Sequence, residues 1–245
     1  MSLPCQDNCF VTVVTGPDGE DWLIAIASDG AGSAVRAERG AELACETGGH
    51  ALSDRFSATV AVADDLNVIA RETLHAIRLA IEEEAVRANT STRDYACTLV
   101  AAVVGQRRAF YFQVGDGAIV VRRDDQLECV FWPESGEYAN MTYFVTDERA
   151  TEHLHVCAEE APVEFAVMTD GLQRLALVFA DRSVHNPFFA PMFSVLRKTA
   201  DTDCDDLSTS LANFLANDNV NARTDDDKTL ILAVRPPEVE RDAAV

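Results

Sequence analysis

Short apolar runs alternate with polar punctuation along most of the chain, and the period within each run separates strands from helices. Phe10 to Thr15 is β-branched and strand-like. Gly16-Pro17-Asp18-Gly19-Glu20-Asp21 has turn composition, and Trp22 to Ser28 returns as a second strand. The pair predicts a hairpin that ends at Asp29. Ser33 to Thr47 predicts a helix with Val35, Leu43 and several alanines on its apolar face, stopped by Gly48-Gly49. Phe56 to Val62 fits neither period. Leu66 to Ala88 predicts a longer helix, with Leu66, Ile69, Leu74, Ile77, Ile81 and Ala85 at helical spacing and Glu82-Glu83-Glu84 facing solvent.

From Ala96 the texture changes to hairpins. Ala96 to Val104, Ala109 to Val114, Ala118 to Arg123 and Leu127 to Trp132 predict strands, joined at Gly105-Gln106-Arg107-Arg108, Gly115-Asp116-Gly117 and Asp124-Asp125-Gln126. Glu134 to Asn140 is a polar loop. Tyr143 to Thr146 and Val163 to Met168 predict further strands with a polar stretch between them. Helices follow at Phe188 to Thr199 and Cys204 to Leu215, then a last strand at Thr229 to Val234. Residues 237–245 form a charged tail expected to be loose. Helices set between blocks of antiparallel strands predict an α+β layered sandwich in one domain, residues 1–236. The absence of strand–helix–strand alternation argues against a parallel doubly wound sheet.

Composition narrows the function classes. The 245 residues are 48% hydrophobic, enough for a large core, and carry 20 Lys+Arg against 41 Asp+Glu, a formal charge of −21. That charge repels nucleic acid and anionic membrane, which are excluded as partners. No apolar run approaches the ~18 residues of a membrane span. The N-terminal residues show neither the basic nor the apolar region of a signal peptide. Seven cysteines stand at scattered positions with no Cys-x-x-Cys pair, which predicts mostly buried free thiols in the cytoplasm.

Four places share one pattern, an apolar strand adjoining an aspartate, mostly with glycine beside it: Asp29-Gly30, Gly115-Asp116-Gly117, Asp170-Gly171 and Asp226-Asp227. A lone Asp-Gly is a turn, but turns need no apolar run beside them. Acids gathered at sheet edges repel one another unless a counter-charge stands among them. Oxygen-only ligands suit Mg²⁺ or Mn²⁺, and two such ions about 3.5–4 Å apart hold a bridging hydroxide against a phosphoryl group.

In order and spacing, Gln6-Asp7, Asp29-Gly30-Ala31-Gly32, Gly115-Asp116-Gly117, Met168-Thr169-Asp170-Gly171 and Asp226-Asp227-Lys228-Thr229 resemble the metal-dependent protein serine/threonine phosphatases of type 2C, in particular their bacterial branch. The resemblance implies a four-layer sandwich, two packed antiparallel β-sheets flanked by helix pairs. It implies hydrolysis of phosphoserine and phosphothreonine in a phosphoprotein substrate, with two or three Mg²⁺ or Mn²⁺ ions, and a cognate kinase as a possible partner. By that resemblance Asp29 bridges two metals, the Gly30 carbonyl adds a ligand, Asp170 and Asp226 hold the first metal, Asp7 holds metal-bound water, and Asp116 completes a third site with Asp170. Asp226 alone of its acidic run is expected to point inward. Ala31 stands where many eukaryotic members carry a proton-donating histidine, Gln6 replaces a usual glutamate, and the family's phosphate-gripping arginine and first strand are expected to be missing. Those departures motivate a second expectation, a weakly active or inactive module that regulates a signalling partner by binding.

Other motifs read more plainly. Asp201-Thr202-Asp203-Cys204-Asp205 lacks the glycine of a calcium loop and reads as an acidic helix N-cap. His153-Leu154-His155 places two imidazoles on one strand face but has no third ligand at suitable spacing. Gly30-Ala31-Gly32 is half a dinucleotide fingerprint with Val35 where the third glycine belongs. Arg107-Arg108 and Arg122-Arg123 read as solvated hairpin ends.

Overall fold

The computed structural model describes residues 5–58, 66–133, 142–199 and 204–235. Its first strands, β1 (Asn8–Thr15) and β2 (Asp21–Ser28), form the expected hairpin. Helices α1 (Ala37–Ala58) and α2 (Leu66–Ala88) follow, then β3 (Leu99–Val104), β4 (Arg108–Val114), β5 (Ala118–Arg123), β6 (Gln126–Cys129), β7 (His155–Glu160) and β8 (Glu164–Met168). A short helix α3 (Gln173–Ala176) leads to the two-residue strands β9 (Leu177–Val178) and β10 (Ser183–Val184). Helices α4 (Asn186–Leu196), α5 (Cys204–Leu215) and α6 (Asp218–Asn221) precede the last strand, β11 (Leu230–Val234).

The long strands form two antiparallel sheets, ordered β1-β2-β3-β4-β7 and β11-β8-β5-β6. Period-two alternation assigns their faces. Ala25, Ala27, Val100 and Ala102 meet Ile119, Val121, Phe165 and Val167 across the sandwich. Small residues on the first sheet accommodate large ones on the second. The reverse face of the first sheet, with Ile24, Ile26, Leu99 and Phe110, packs on Leu52, Phe56, Leu74 and Ile77 of α1 and α2. The reverse face of the second, with Ala118, Val120, Ala166 and Met168, packs on Phe189, Phe193, Leu175 and Leu215. Helix layer, sheet, sheet and helix layer make the four-layer α+β sandwich. No helix among the described residues is long and apolar enough to cross a membrane.

Several expectations are corrected. Helix α1 starts at Ala37, leaving Val35 outside it and 85% exposed. It also runs through Gly48-Gly49 to Ala58. A Cβ at Gly49 would stand 2.4 Å from the Phe10 ring, and one at Gly48 would stand 3.1 Å from Ile77. These glycines therefore set how closely α1 lies on β1 and α2, and do not stop the helix. Phe56 lies within α1, and 59–62 lie outside the described residues.

Tyr143 to Thr146 is not a strand. It is a turn region in which the Val145 N–H donates to the Cys97 carbonyl at 2.9 Å. The polar stretch after it holds β7, an edge strand whose half-buried residues carry little apolar signal. Strand β6 ends at Cys129, short of Trp132. The Arg122-Arg123 pair is not simply solvated: Arg122 Nε donates to Glu164 at 2.6 Å, and Arg123 pairs with Glu128 and Glu159. Glu164 is 1% exposed and also receives Arg197 of the α4 end. Of the described cysteines only Cys45 and Cys97 are buried, although all six are free thiols. The Glu134–Asn140 loop, the acids at 201 and 203, and the tail at 237–245 lie outside the described residues.

Candidate metal centre

Strand ends deliver the acids. The apolar β2 stops at Ser28 and presents Asp29, and β8 stops at Met168 and presents Asp170. Asp116 sits in the turn from β4 to β5, and Asp226 lies just before β11. Asp7 precedes β1. The backbone of Asp29 is fastened twice to Thr98: its N–H donates to Thr98 Oγ1 at 3.0 Å, and the Thr98 N–H donates to its carbonyl at 2.8 Å. The Gly30 N–H donates to the Gln6 carbonyl at 3.2 Å, which draws the N-terminal segment onto the same sheet end. Asp7 Oδ2 accepts from Thr169 Oγ1 at 2.7 Å. Asp116 Oδ2 accepts from Thr142 Oγ1 at 2.5 Å, while Gln173 Nε2 donates to the Asp116 carbonyl.

Gly171 is required by close approach, because a Cβ there would meet the Asp227 carbonyl at 1.9 Å. The segment carrying Asp226 thus lies directly on the segment carrying Asp170. Asp227, expected to be solvated, instead accepts from the Gln6 N–H at 2.6 Å through Oδ2. Asp226, expected to be the one acid of its run to point inward, is instead exposed, although its charge still acts on Asp29, Asp170 and Asp116.

The electrostatics are those of acids without a counter-charge. Burial, then a hydrogen bond with Asp7, then the charges of Asp170, Asp7 and Asp226 push Asp29 up to about 9. Burial and the charges of Asp116, Asp226 and Asp7 push Asp170 up to about 7. Burial also raises Asp116. Asp7 is raised by burial, against hydrogen bonds from Asp29, Thr169 and Thr229 that lower it. Two acids within hydrogen-bond reach share a proton or a cation. Asp7 Oδ1 and Asp170 Oδ1 are buried with no hydrogen-bond donor.

Orphaned buried oxygens and an all-carboxylate donor set fit hard divalent cations. Among the described residues no three side chains already stand at the spacing of a shared ion's ligands. The histidine pair is not such a site. His153 ends a 3₁₀ turn, Ala150–His153, with its ring stacked on Tyr143, and His155 opens β7.

The structure brings the expected Asp7, Asp29, Asp116, Asp170 and Asp226 into one electrostatic cluster, with the Gly30 backbone beside it. The sequence does not mark Thr98, Thr142, Gln173 or Asp227 as contributors. These act through one or two hydrogen bonds to acids or backbone, and of them only Asp227 lies inside a recognisable motif, where its bond to Gln6 leaves no sequence signal.

The model of the family described as protein phosphatase 2C matches residues 1–216. The chain belongs to the protein phosphatase 2C family. It is 37% identical over 233 residues to serine/threonine-protein phosphatase 3 of Escherichia coli (strain K12), covering 95% of this chain and 91% of that protein. Its fold is similar to that of a bacterial serine phosphatase crystal structure, with a TM-score of 0.65 and 16% identity over 97% of this chain and 94% of the other. It is likewise similar to the catalytic domain of the serine/threonine protein phosphatase PstP, solved in complex with two manganese ions. There the TM-score is 0.61 and the identity 14%, over 97% and 94% of the two chains. Both likenesses agree with the α+β sandwich of packed antiparallel sheets.

Proposed function

We propose that the chain is a Mg²⁺- or Mn²⁺-dependent phosphatase of phosphoserine and phosphothreonine in proteins. The observation that carries this reading is the convergence of Asp29, Asp170, Asp226, Asp7 and Asp116 at one sandwich end, with two buried carboxylate oxygens left without donors. Membership of the protein phosphatase 2C family supports it, as does the pair of manganese ions in the PstP relative.

Divalent cations at such a site make water nucleophilic at neutral pH and neutralise the phosphoryl oxygens. Asp29, central and most strongly raised, would be a ligand of the divalent ions, with the Gly30 carbonyl beside it. Asp170 and Asp226 would help hold an ion, and Asp116 with Asp170 would offer a further position. Asp7, held by Thr169, stands where a carboxylate accepts a proton from water. No histidine follows Gly30, so residue 31, an alanine, has no proton to give the leaving group. The substrate is a phosphoprotein, and the kinase that phosphorylates it is a candidate partner. Six free thiols support a reducing compartment such as the cytoplasm. No observation favours the regulatory-module alternative.

Phosphate release from phosphoserine and phosphothreonine peptides tests the reading. Activity is expected with Mn²⁺ or Mg²⁺ and not after chelation, and Asp29→Asn or Asp170→Asn lowers kcat/KM about 100-fold or more. Turnover that survives strong chelation overturns it.

A further inference from the structure

We propose that Thr169 is a positioning residue that assigns the two oxygens of Asp7 to different tasks, one to the protein and one to the cation site. Thr169 is 1% exposed and sits where β8 hands over to the Asp170 turn. Three bonds converge on it. Its N–H donates to the Thr229 carbonyl at 3.3 Å, the Thr229 N–H donates to its Oγ1 at 3.0 Å, and its hydroxyl donates to Asp7 Oδ2 at 2.7 Å.

The order of these bonds matters. A hydroxyl has one proton to give, and the Thr229 N–H occupies an oxygen lone pair. The remaining direction for the Thr169 proton is toward Asp7. Asp7 Oδ2 is thereby engaged by a fixed donor from the protein, while Asp7 Oδ1 stays buried with no donor. One side chain thus links three segments that carry acids: the N-terminal segment with Asp7, the β8 end with Asp170, and the β11 start just after Asp226. Without the hydroxyl, Asp7 Oδ2 loses the close donor that sets it apart from Oδ1. The Thr229 N–H also loses an acceptor. Outer-shell bonds of this kind are typically worth about 10–100-fold in metal affinity or activity.

The inference rests on the cation-dependent reading above, and the experiment keeps the two separable. Mn²⁺ is titrated calorimetrically into the metal-free full chain, and p-nitrophenyl phosphate kinetics are read at saturating Mn²⁺. Thr169→Val is expected to weaken Mn²⁺ binding about 10–100-fold and to lower kcat with KM unchanged, while Thr169→Ser restores both to within about threefold. In an Asp7→Ala background, Thr169→Val is expected to add little, because its effect runs through Asp7. Should Thr169→Val fail to fold, Thr169→Cys, a weak donor of similar size, is expected to bind Mn²⁺ between the serine and valine variants. Wild-type Mn²⁺ affinity in Thr169→Val or Thr169→Cys overturns the proposal, as does an undiminished Thr169→Val effect beside Asp7→Ala. Absence of Mn²⁺ binding by the wild-type chain instead overturns the functional reading.

Discussion

At neutral pH the metal-free chain carries Asp29 protonated, since burial, the Asp7 bond and its charged neighbours hold it at about 9, and Asp170 titrates at about 7. Both folded values lie above the ordinary carboxylate range of the unfolded chain. The folded state therefore binds more protons than the unfolded one between those limits, and stability falls as pH rises. The stabilising contribution is fully present below the unfolded value of about 4 and is lost as pH passes through about 7 and then about 9. Metal-free protein is expected to melt at progressively lower temperature from about pH 6 to about pH 9 in calorimetric scans. Excess Mn²⁺ should reverse that trend, because the ion binds the ionised acids; at 100 times its Kd it adds about 2.7 kcal/mol. Asp29→Asn removes the most strongly raised acid. At pH 8 the metal-free variant is expected to melt higher than wild type while losing the Mn²⁺-induced rise. A lower melting temperature for metal-free Asp29→Asn would show that Asp29 holds the fold together and is not under electrostatic strain.

At the scale of elements, Gly49 decides between propensity and packing. Alanine in a helix interior gains about 1 kcal/mol over glycine. Here its Cβ would stand 2.4 Å from the Phe10 ring, and overpacking costs about 1–3 kcal/mol. Gly49→Ala is therefore expected to lower the urea midpoint with an unchanged slope, and a second substitution, Phe10→Ala, should remove the clash. The same glycine shows why the sequence misleads locally. Glycine composition alone reads as a helix stop, whereas the contact that requires it comes from β1, far away in sequence.

Strands β2, β5, β8 and β11 were legible because each is a short apolar run ended by polar residues. The acids were legible because they stand where those runs end. Helix α2 was legible at both ends from its period alone. Strand β7 was not, since an edge strand exposes alternate residues and His155 to Glu160 carries few apolar ones. The roles of Thr98 and Asp227 were not legible either: a hydrogen bond that Asp227 accepts from an amide 221 residues away leaves no local pattern.

Across the whole molecule the dominant electrostatic fact is the charge of −21, and even two bound divalent cations leave it strongly negative. Near the acid cluster such ions attract a phosphate, but at a distance an approaching phosphoprotein meets a repulsive field. That field reaches about 30 Å at 0.01 M salt and about 8 Å at physiological ionic strength. Association of peptides with basic flanks is therefore favoured over those with acidic flanks, and the preference comes from long-range steering. The expected outcome is a kcat/KM ratio of about 10 or more between basic- and acidic-flanked phosphopeptides at low salt, shrinking toward about 1 near 0.5 M NaCl. Saturating Mn²⁺ must be held constant through the series, so that cation loss from the site does not imitate screening. Turnover at saturating substrate should change little, because the field acts on encounter and not on the phosphoryl transfer. A ratio that persists at high salt would place the discrimination in a specific contact with the flanking residues instead of in the charge of the whole protein.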